Sequence, residues 1–455
     1  MNRLKSTCLV ATSLVFVFIL SAAGPVQAQD AQTITFNQAV ELALSRNVSI
    51  QRAENNLDLQ SLRVKSARAD FLPNLNLSTG VNRNYGLFID NTTFQQRTTV
   101  TDNMSVSASS GVTLFDGFGN ISSLRAANST LESQEHIFER TQQQVVFDVI
   151  QNYLNVILAE ENIQIQQENV DAQTRQLEQI QEFVNVGTRP VSDLYQQQAA
   201  QASAESQLLT AENNFQIAQT QLIQVLQIDP LGDYHFVAPD LENVSLTIQE
   251  YNPEVLLRGA FDKRSDLRAQ EAGIRAARYG VLSARSGYLP SLSLSGSFST
   301  GWSSSRSDVF SFSDQLDNNR SERVGLSLSI PIFNRLNTMT SVESAQVQYR
   351  NAELDLENLQ QTVAIEVRQA YLNYLTAVKR LDVTEKQLRA AQQALNVEEE
   401  RYDVGASTLV ELTQARANYV DAASQRAQAV FQFYFQQRLI DYYQGTLDPS
   451  QPLFE

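Results

Sequence analysis

The chain has 455 residues, 50 acidic against 34 basic side chains, and a formal net charge of −16. That acidity disfavours nucleic acid as a partner. A single cysteine, Cys8, and two isolated histidines, His136 and His235, exclude a disulfide scaffold, a thiolate metal site and any catalytic set built on clustered histidines, and nothing calls for a cofactor.

Arg3 and Lys5 precede an apolar run from Leu9 to Leu20 and then Val26-Gln27-Ala28. This pattern predicts a secretory signal peptide over 1–28, cut between Ala28 and Gln29, and Cys8 leaves with it. Beyond it no run of about 18 apolar residues occurs, so no membrane-spanning helix is expected.

The rest reads as two copies of one unit. Ser66-Ala67-Arg68 returns as Ser283-Ala284-Arg285, Tyr153-Leu154-Asn155 as Tyr371-Leu372-Asn373, and Val186-Gly187 as Val404-Gly405, all at nearly constant offset. The expected division is a first repeat over 29–229, a join over 230–250, a second repeat over 251–445 and a tail over 446–455.

Each repeat opens with a helix, from about Phe36 to Ala69 and from about Pro253 to Ser286. A β-hairpin follows, over 71–115 and 288–333. In its first strand Ser291-Leu292-Ser293-Leu294-Ser295 alternates small polar with apolar groups, and Asn74-Leu75-Asn76-Leu77 repeats the phrase. The second strands alternate too, with Val324, Leu326, Leu328 and Ile330 against Gly325, Ser327 and Ser329. A period of two sends the two kinds of side chain to opposite faces. Phe71, Tyr288, Phe115 and Phe333 mark one end of the hairpins, and Tyr85 and Trp302 the other. Strands of about ten residues with aromatic girdles and an apolar outer face are the marks of a transmembrane β-barrel. The stretches 86–103 and 303–320 are expected as polar loops.

A very long helix comes next, from about Asn120 to Phe183 and from about Thr338 to Arg401. At 1.5 Å per residue it would run roughly 95 Å, far beyond the three or four turns of an ordinary helix. Val367, Tyr371, Tyr374, Val378, Leu381, Glu385, Leu388, Gln392 and Leu395 step by four and three along it, as do Val149, Tyr153, Val156, Glu160, Ile163, Gln167, Val170, Thr174 and Leu177. That spacing predicts near-parallel helix packing, with enough polar members to suit a curved wall that is wet on one side. A Gly-containing turn ends each long helix, and a last helix returns, from about Pro190 to Gln227 and from about Ser407 to Tyr443. The first and last helices, stacked end to end, would run alongside the long one.

Four strands cannot close a barrel, since single-chain outer-membrane barrels need at least eight. An open edge in lipid leaves backbone groups unpaired, at several kcal/mol each. The chain must therefore share its barrel with copies of itself, and the helices continuing from the strands would form a second cylinder on the same axis.

In its duplication, its two Leu-Pro-x-Leu strand openings and the turns Val186-Gly187-Thr188 and Tyr402-Asp403-Val404-Gly405-Ala406, the chain resembles the TolC-like outer membrane efflux proteins over essentially its whole mature length. The resemblance implies a mainly α fold with a small β part. It implies a homotrimer in outer-membrane lipid, with a twelve-stranded barrel continued by a long periplasmic helical barrel. It further implies a passive exit duct of a tripartite efflux or type I secretion system, energised by an inner-membrane transporter through a periplasmic adaptor, and no enzyme activity.

By the same resemblance Val186, Gly187, Thr188, Val404, Gly405 and Ala406 are the adaptor-docking tips. The family's two acidic gate positions fall on Glu411 and Gln414, so one carboxylate ring is expected here in place of two. Asp193 is the first-repeat counterpart of Glu411. Tyr402 matches a tyrosine that holds the closed state through hydrogen bonds. The arginine expected two residues past the glycine is Ser407, while Arg189 stands at the equivalent place of the first repeat, so the lock between helices is expected to be rewired. A coiled-coil surface fibre is the alternative that the long helices allow and the matched aromatic strand ends oppose; a secreted hydrolase lacks a catalytic set.

Overall fold

The structure, a computed structural model, describes residues 32–89, 94–237 and 248–447. The expected cleavage site at Ala28 and Gln29, the middle of the join and nearly all of the tail lie outside them. In the first half, β1 (Gln32–Ile34), α1 (Phe36–Arg46), α2 (Val48–Ala69), β2 (Asn74–Ile89), β3 (Gln96–Phe115), α3 (Gly119–Asn185) and α4 (Val191–Leu226) follow in order. The second half runs β4 (Tyr234–Phe236), α5 (Pro253–Lys263), α6 (Ser265–Ser286), β5 (Ser291–Ser303), α7 (Phe312–Asn318), β6 (Ser321–Ser329), α8 (Asn337–Asp403) and α9 (Leu409–Gln444).

The sheet is antiparallel throughout, in the order β2-β3-β5-β6. Its register sorts the side chains as the period-two pattern requires. One row across the sheet is Asn76, Ser109, Ser297 and Arg323, and another is Ser78, Ser107, Ser299 and Ser321. The Ser78 and Ser107 hydroxyl oxygens are 2.7 Å apart. On the other face stand rows such as Leu75, Ser110, Gly296, Val324 and Val81, Met104, Trp302. Leu75, Leu77 and Val81 are 79%, 76% and 74% exposed in the single chain.

Two expectations about the hairpins change. The first has no long polar loop: β2 and β3 are 16 and 20 residues long and stay paired as far as Ile89 and Gln96, past the end of β5 at Ser303. The second loop contains α7, started by a capping box between Ser311 and Asp314. This helix answers a specific need. Beyond Ser299 the strand β5 has lost its partner β6. Asn319 Nδ2 donates to Gly301 O at 2.6 Å, and Ser303 N donates to Gln315 Oε1 at 2.9 Å. Side chains next to α7 and within it thus satisfy backbone groups that an open edge would leave bare.

The strand-to-helix passages are alike. Gly117 and Phe118 have φ of 68° and 69°, and Arg335 and Leu336 have 57° and 65°. A Cβ on Gly117 would lie 2.6 Å from Leu289 Cβ and 2.8 Å from Ser286 O, so this crowded left-handed corner requires glycine. The long helices α3 and α8 follow, each of 67 residues, roughly 100 Å of helix.

The first helix of each half is not continuous. Asn47 and Arg264 sit extended, with ψ of 127° and 124°, and end one helix while starting the next. Asn47 can do both because its Oδ1 accepts from Ser49 N at 2.8 Å and its Nδ2 donates to Val225 O at 3.1 Å. That second bond holds the end of α4 at the α1–α2 joint. At the matching joint Arg264, 3% exposed, reaches Asp266 at 2.6 Å and Glu366 at 2.7 Å, and Gly445, at the end of α9, packs against it. α4 and α2, and likewise α9 and α6, therefore stack end to end beside a long helix.

The main core lies at these joints, where α1, α3, α8 and α9 bring together Tyr153, Tyr374, Phe433 and many aliphatic groups. A parallel pair of short strands, β1 with β4, ties the segment just before α1 to the join; at three residues each they are too short to show a period-two pattern. Tyr153 Oη donates to Val237 O at 2.6 Å. Of the predicted seam, Val149, Tyr153, Val156, Val367, Tyr374, Leu381 and Leu395 are buried. Lower on α3 the expectation shifts: Gln167 is exposed, and Asn169, Gln173 and Ile180 are the buried residues. There α3 turns toward α4, as the Gln197 and Gln201 bonds to Gln173 and Thr174 show.

Candidate functional site

The ends of α3 and α8 share one backbone geometry. Gly187 and Gly405 have φ of 78° and 75°. Thr188 N donates to Phe183 O at 2.8 Å and Gly187 N to Val184 O at 3.0 Å; Ala406 N donates to Arg401 O at 2.7 Å and Gly405 N to Tyr402 O at 3.0 Å. These paired bonds are the Schellman ending, which satisfies the last helical carbonyls. A Cβ on either glycine would meet nothing within 4 Å, so the left-handed backbone alone requires glycine. Val186 and Val404 stand 70% and 79% exposed at the tips, with Thr188 and Ala406 exposed beside them.

A small apolar cluster of Ile180, Leu194, Leu395, Tyr402, Leu409 and Leu412 holds the two tips together. The guanidinium of Arg189 lies 4.5 Å from the centre of the Tyr402 ring, and its Nη2 donates to Tyr402 O at 3.4 Å. Gln179 Nε2 donates to Asp403 Oδ1 at 3.5 Å. The tyrosine ring is buried, and its hydroxyl has no partner among the described residues. Burial pushes the Tyr402 phenol above its usual range, Arg189 opposes the shift and the Asp193 carboxylate adds to it. Arg189, Tyr402 and Asp193 are thus brought to one place, linking the two halves of the chain.

Glu411 is the third residue of α9 and closes a capping box with Thr408. Its Oε2 accepts from Thr408 N at 2.9 Å, and Ser407 Oγ lies 2.9 Å away. The Thr408 N–H, then the Ser407 and Thr408 hydroxyls, hold this carboxyl below its usual range. Thr-x-x-Glu at a helix start is the signal in the sequence for this arrangement. Ser407 Oγ is also 2.6 Å from Glu398 Oε2, so the position that lacks arginine ties α8 to the start of α9. Gln414 is exposed one turn on and donates to Asn418 Oδ1 at 3.0 Å, as Gln425 does to Asp421 Oδ2 at 2.7 Å. Glu411, Gln414, Asn418 and Asp421 therefore form one polar stripe along α9.

Among the described residues no helix is long and apolar enough to cross a membrane, and no group of three His, Cys, Asp or Glu side chains is placed to hold a metal ion. What the tips can do chemically is electrostatic and steric: they present carboxylates, amides and two exposed valines.

The family model described as outer membrane efflux protein matches residues 39–226 and 256–445. Outer membrane protein TolC of Salmonella enteritidis is 24% identical over 425 residues, covering 91% of this chain and 83% of that protein. The proteases secretion protein PrtF of Dickeya chrysanthemi is 20% identical over 96% of this chain and 92% of its own. The crystal structure of the Campylobacter jejuni CmeC outer membrane channel superposes with a TM-score of 0.77 at 19% identity, covering 92% of this chain and 87% of that one. With both halves matched and this fold in common, the chain belongs to the outer membrane efflux protein family.

Proposed function

We propose that three copies of the chain assemble as a passive exit duct across the outer membrane and periplasm, without enzyme activity. The observation that carries this reading is the sheet. It has four strands with free edges at β2 and β6, a mainly apolar face that also carries Ser110, Gly296 and, on the edge strand, Glu322, and an opposite face of serine, asparagine and glycine. A sheet of this kind is stable in lipid only when its edges meet those of other copies. Twelve strands from three chains would close it with the apolar face toward lipid and the polar face toward water. The helices follow directly from the strands, so three chains would continue the bore as a helical cylinder roughly 100 Å long.

The tips are the gate in this reading. Glu411 supplies one ring of carboxylates and Gln414 a ring of amides, as the first two members of the polar stripe of α9. Arg189, Tyr402 and Asp193 form the latch between the two halves of each chain. Val186, Gly187, Thr188, Val404, Gly405 and Ala406 offer exposed apolar turns to the periplasmic adaptor, through which an inner-membrane transporter supplies the energy. Relatives named for efflux and for protease secretion are compatible with either cargo.

The native mass of the protein, extracted from outer membranes in mild detergent, tests the assembly. Three chains per particle with stepwise conductance in planar bilayers is the expected result. A monomer in detergent, or a soluble particle, would end the duct reading.

A further inference from the structure

The helical wall above the tips is packed with amides that are short of partners. Gln166, Asn169, Gln173 and Gln176 follow one another at spacings of three and four on α3, a continuous stripe on one side of the helix. Asn169 and Gln173 are 9% and 7% exposed, and Gln197 of α4, facing them, is 1% exposed. Gln197 Nε2 donates to Gln173 O at 3.0 Å and to Gln173 Oε1 at 2.7 Å. The remainder of the row is not satisfied. Among the described residues, the buried side-chain atoms without a partner are Gln166 Oε1, Asn169 Oδ1, Gln176 Nε2, Gln197 Oε1, Tyr402 Oη, Arg416 Nη1 and Gln436 Oε1. All but the last belong to this short section of wall or to the tip below it. The core at the helix joints, by contrast, is aliphatic and aromatic.

A buried polar network with members unsatisfied is worse for the packed state than an apolar core of the same shape. Beside Asn169 lies a cavity of about 310 Å³ between α3, α8 and α9, which also touches Leu395, Arg416 and Tyr419. The unmet atoms are sealed from solvent in this arrangement, so the cavity reads as room for repacking and not as a ligand site. Buried amides of this kind fix a register at a cost in stability, and here that cost is raised by the atoms that remain unmet.

We propose that this amide row is a weak seam that biases the wall, as packed here, toward the rearrangement that opens the duct: when α3 and its neighbours slide, sealed amides gain partners that the present packing denies them. The inference deepens the duct reading and rests on it.

The test uses the full-length protein with Asn169→Leu and Gln176→Leu, singly and together, against Gln167→Leu, which adds the same apolar bulk at an exposed neighbour. Two readouts are taken: amide hydrogen exchange over residues 160–180, and the open fraction in planar bilayers. The expected result is slower exchange and an open fraction lower by roughly tenfold in each single variant and by roughly a hundredfold in the double, since each sealed unmet group is worth about a factor of ten, with Gln167→Leu near the parent. Faster or unchanged exchange in the double variant would overturn the weak seam. Slower exchange with an unchanged open fraction would overturn its link to opening. A parent protein that shows no conductance at all would instead count against the duct, and the exchange data would still judge the seam.

Discussion

Arg189 and Tyr402, from opposite halves of the chain, meet with the guanidinium 4.5 Å from the ring centre. The tyrosine is anchored below by the tip cluster, so the arginine is the part free to leave. A partly desolvated cation–π contact is worth about 0.5–2 kcal/mol. Arg189→Ala is therefore expected to raise the open fraction of the duct by about twofold to thirtyfold, read from single-channel records. An open fraction equal to the parent's would remove the contact from the latch.

Tyr402→Phe separates the ring from the hydroxyl. The hydroxyl is buried without a partner among the described residues, so its removal lifts a desolvation cost and leaves the Arg189 contact in place. The expected outcome is a melting temperature unchanged or slightly higher and an open fraction close to the parent's. A large gain in opening would mean that the hydroxyl finds an acceptor in another arrangement of the tips.

Glu411 joins structure and electrostatics in one side chain. Its capping-box bonds depress its folded pKa. A depressed carboxyl contributes stability above its unfolded value, near 4.3, and loses it as pH falls through the folded value. The start of α9 is thus expected to hold from neutral pH down to the carboxylate range and to loosen only below it, as hydrogen exchange of residues 408–415 would reveal. Glu411→Gln keeps an acceptor at the third helical position, where glutamine also serves, and removes the charge. A ring of carboxylates in a narrow bore concentrates cations, so this variant is expected to lose cation preference in reversal-potential measurements while its melting temperature falls only slightly, by the part of the cap that depends on the charge. Unchanged selectivity would take Glu411 out of the bore.

Much of the fold was legible because its signals are local. Period-two alternation at Asn74–Leu77 and Ser291–Ser295 carried the strands, and helix length with Gly187 and Gly405 carried the tips. The breaks at Asn47 and Arg264 were missed because each interrupts an otherwise helical pattern by a single residue, held by partners distant in sequence, Val225 and Glu366. The shift of the α3 seam from Gln167 to Asn169 and Gln173 was invisible for a related reason. Asparagine and glutamine carry no apolar signal, and only the position of α4 decides which of them is covered. At the site, the resemblance supplied Glu411 and Tyr402, whereas the Ser407 contact to Glu398 depends on the α8–α9 turn folding back.

Val186→Asp and Val404→Asp test the docking tips. Both side chains are largely exposed, so a charge there disturbs no core, and surface substitutions of this kind stay within about 0.5 kcal/mol. The expected outcome is an unchanged melting temperature and trimer mass, with loss of adaptor capture in a pull-down of the periplasmic partner. Gly405→Ala should behave differently. Its φ of 75° would cost alanine about 1–2 kcal/mol, so faster exchange at the α8 end is expected to accompany any loss of capture.

The faces of the sheet make opposite predictions for one kind of change. Leu77 stands on the apolar face, directly opposite Ala108, and Ser297 on the polar face in the row that contains Ser109 and Arg323. An arginine on a lipid-facing barrel position costs about 2–4 kcal/mol at mid-membrane and less toward the interfaces. Leu77→Arg is expected to lower the amount of trimer recovered from outer membranes. Ser297→Asp places its charge in water beside Arg323, so the trimer yield is expected to match the parent while ion selectivity shifts toward cations. If Leu77→Arg assembled normally and Ser297→Asp did not, the sheet would face the other way, and the lumen assigned here would be its lipid side.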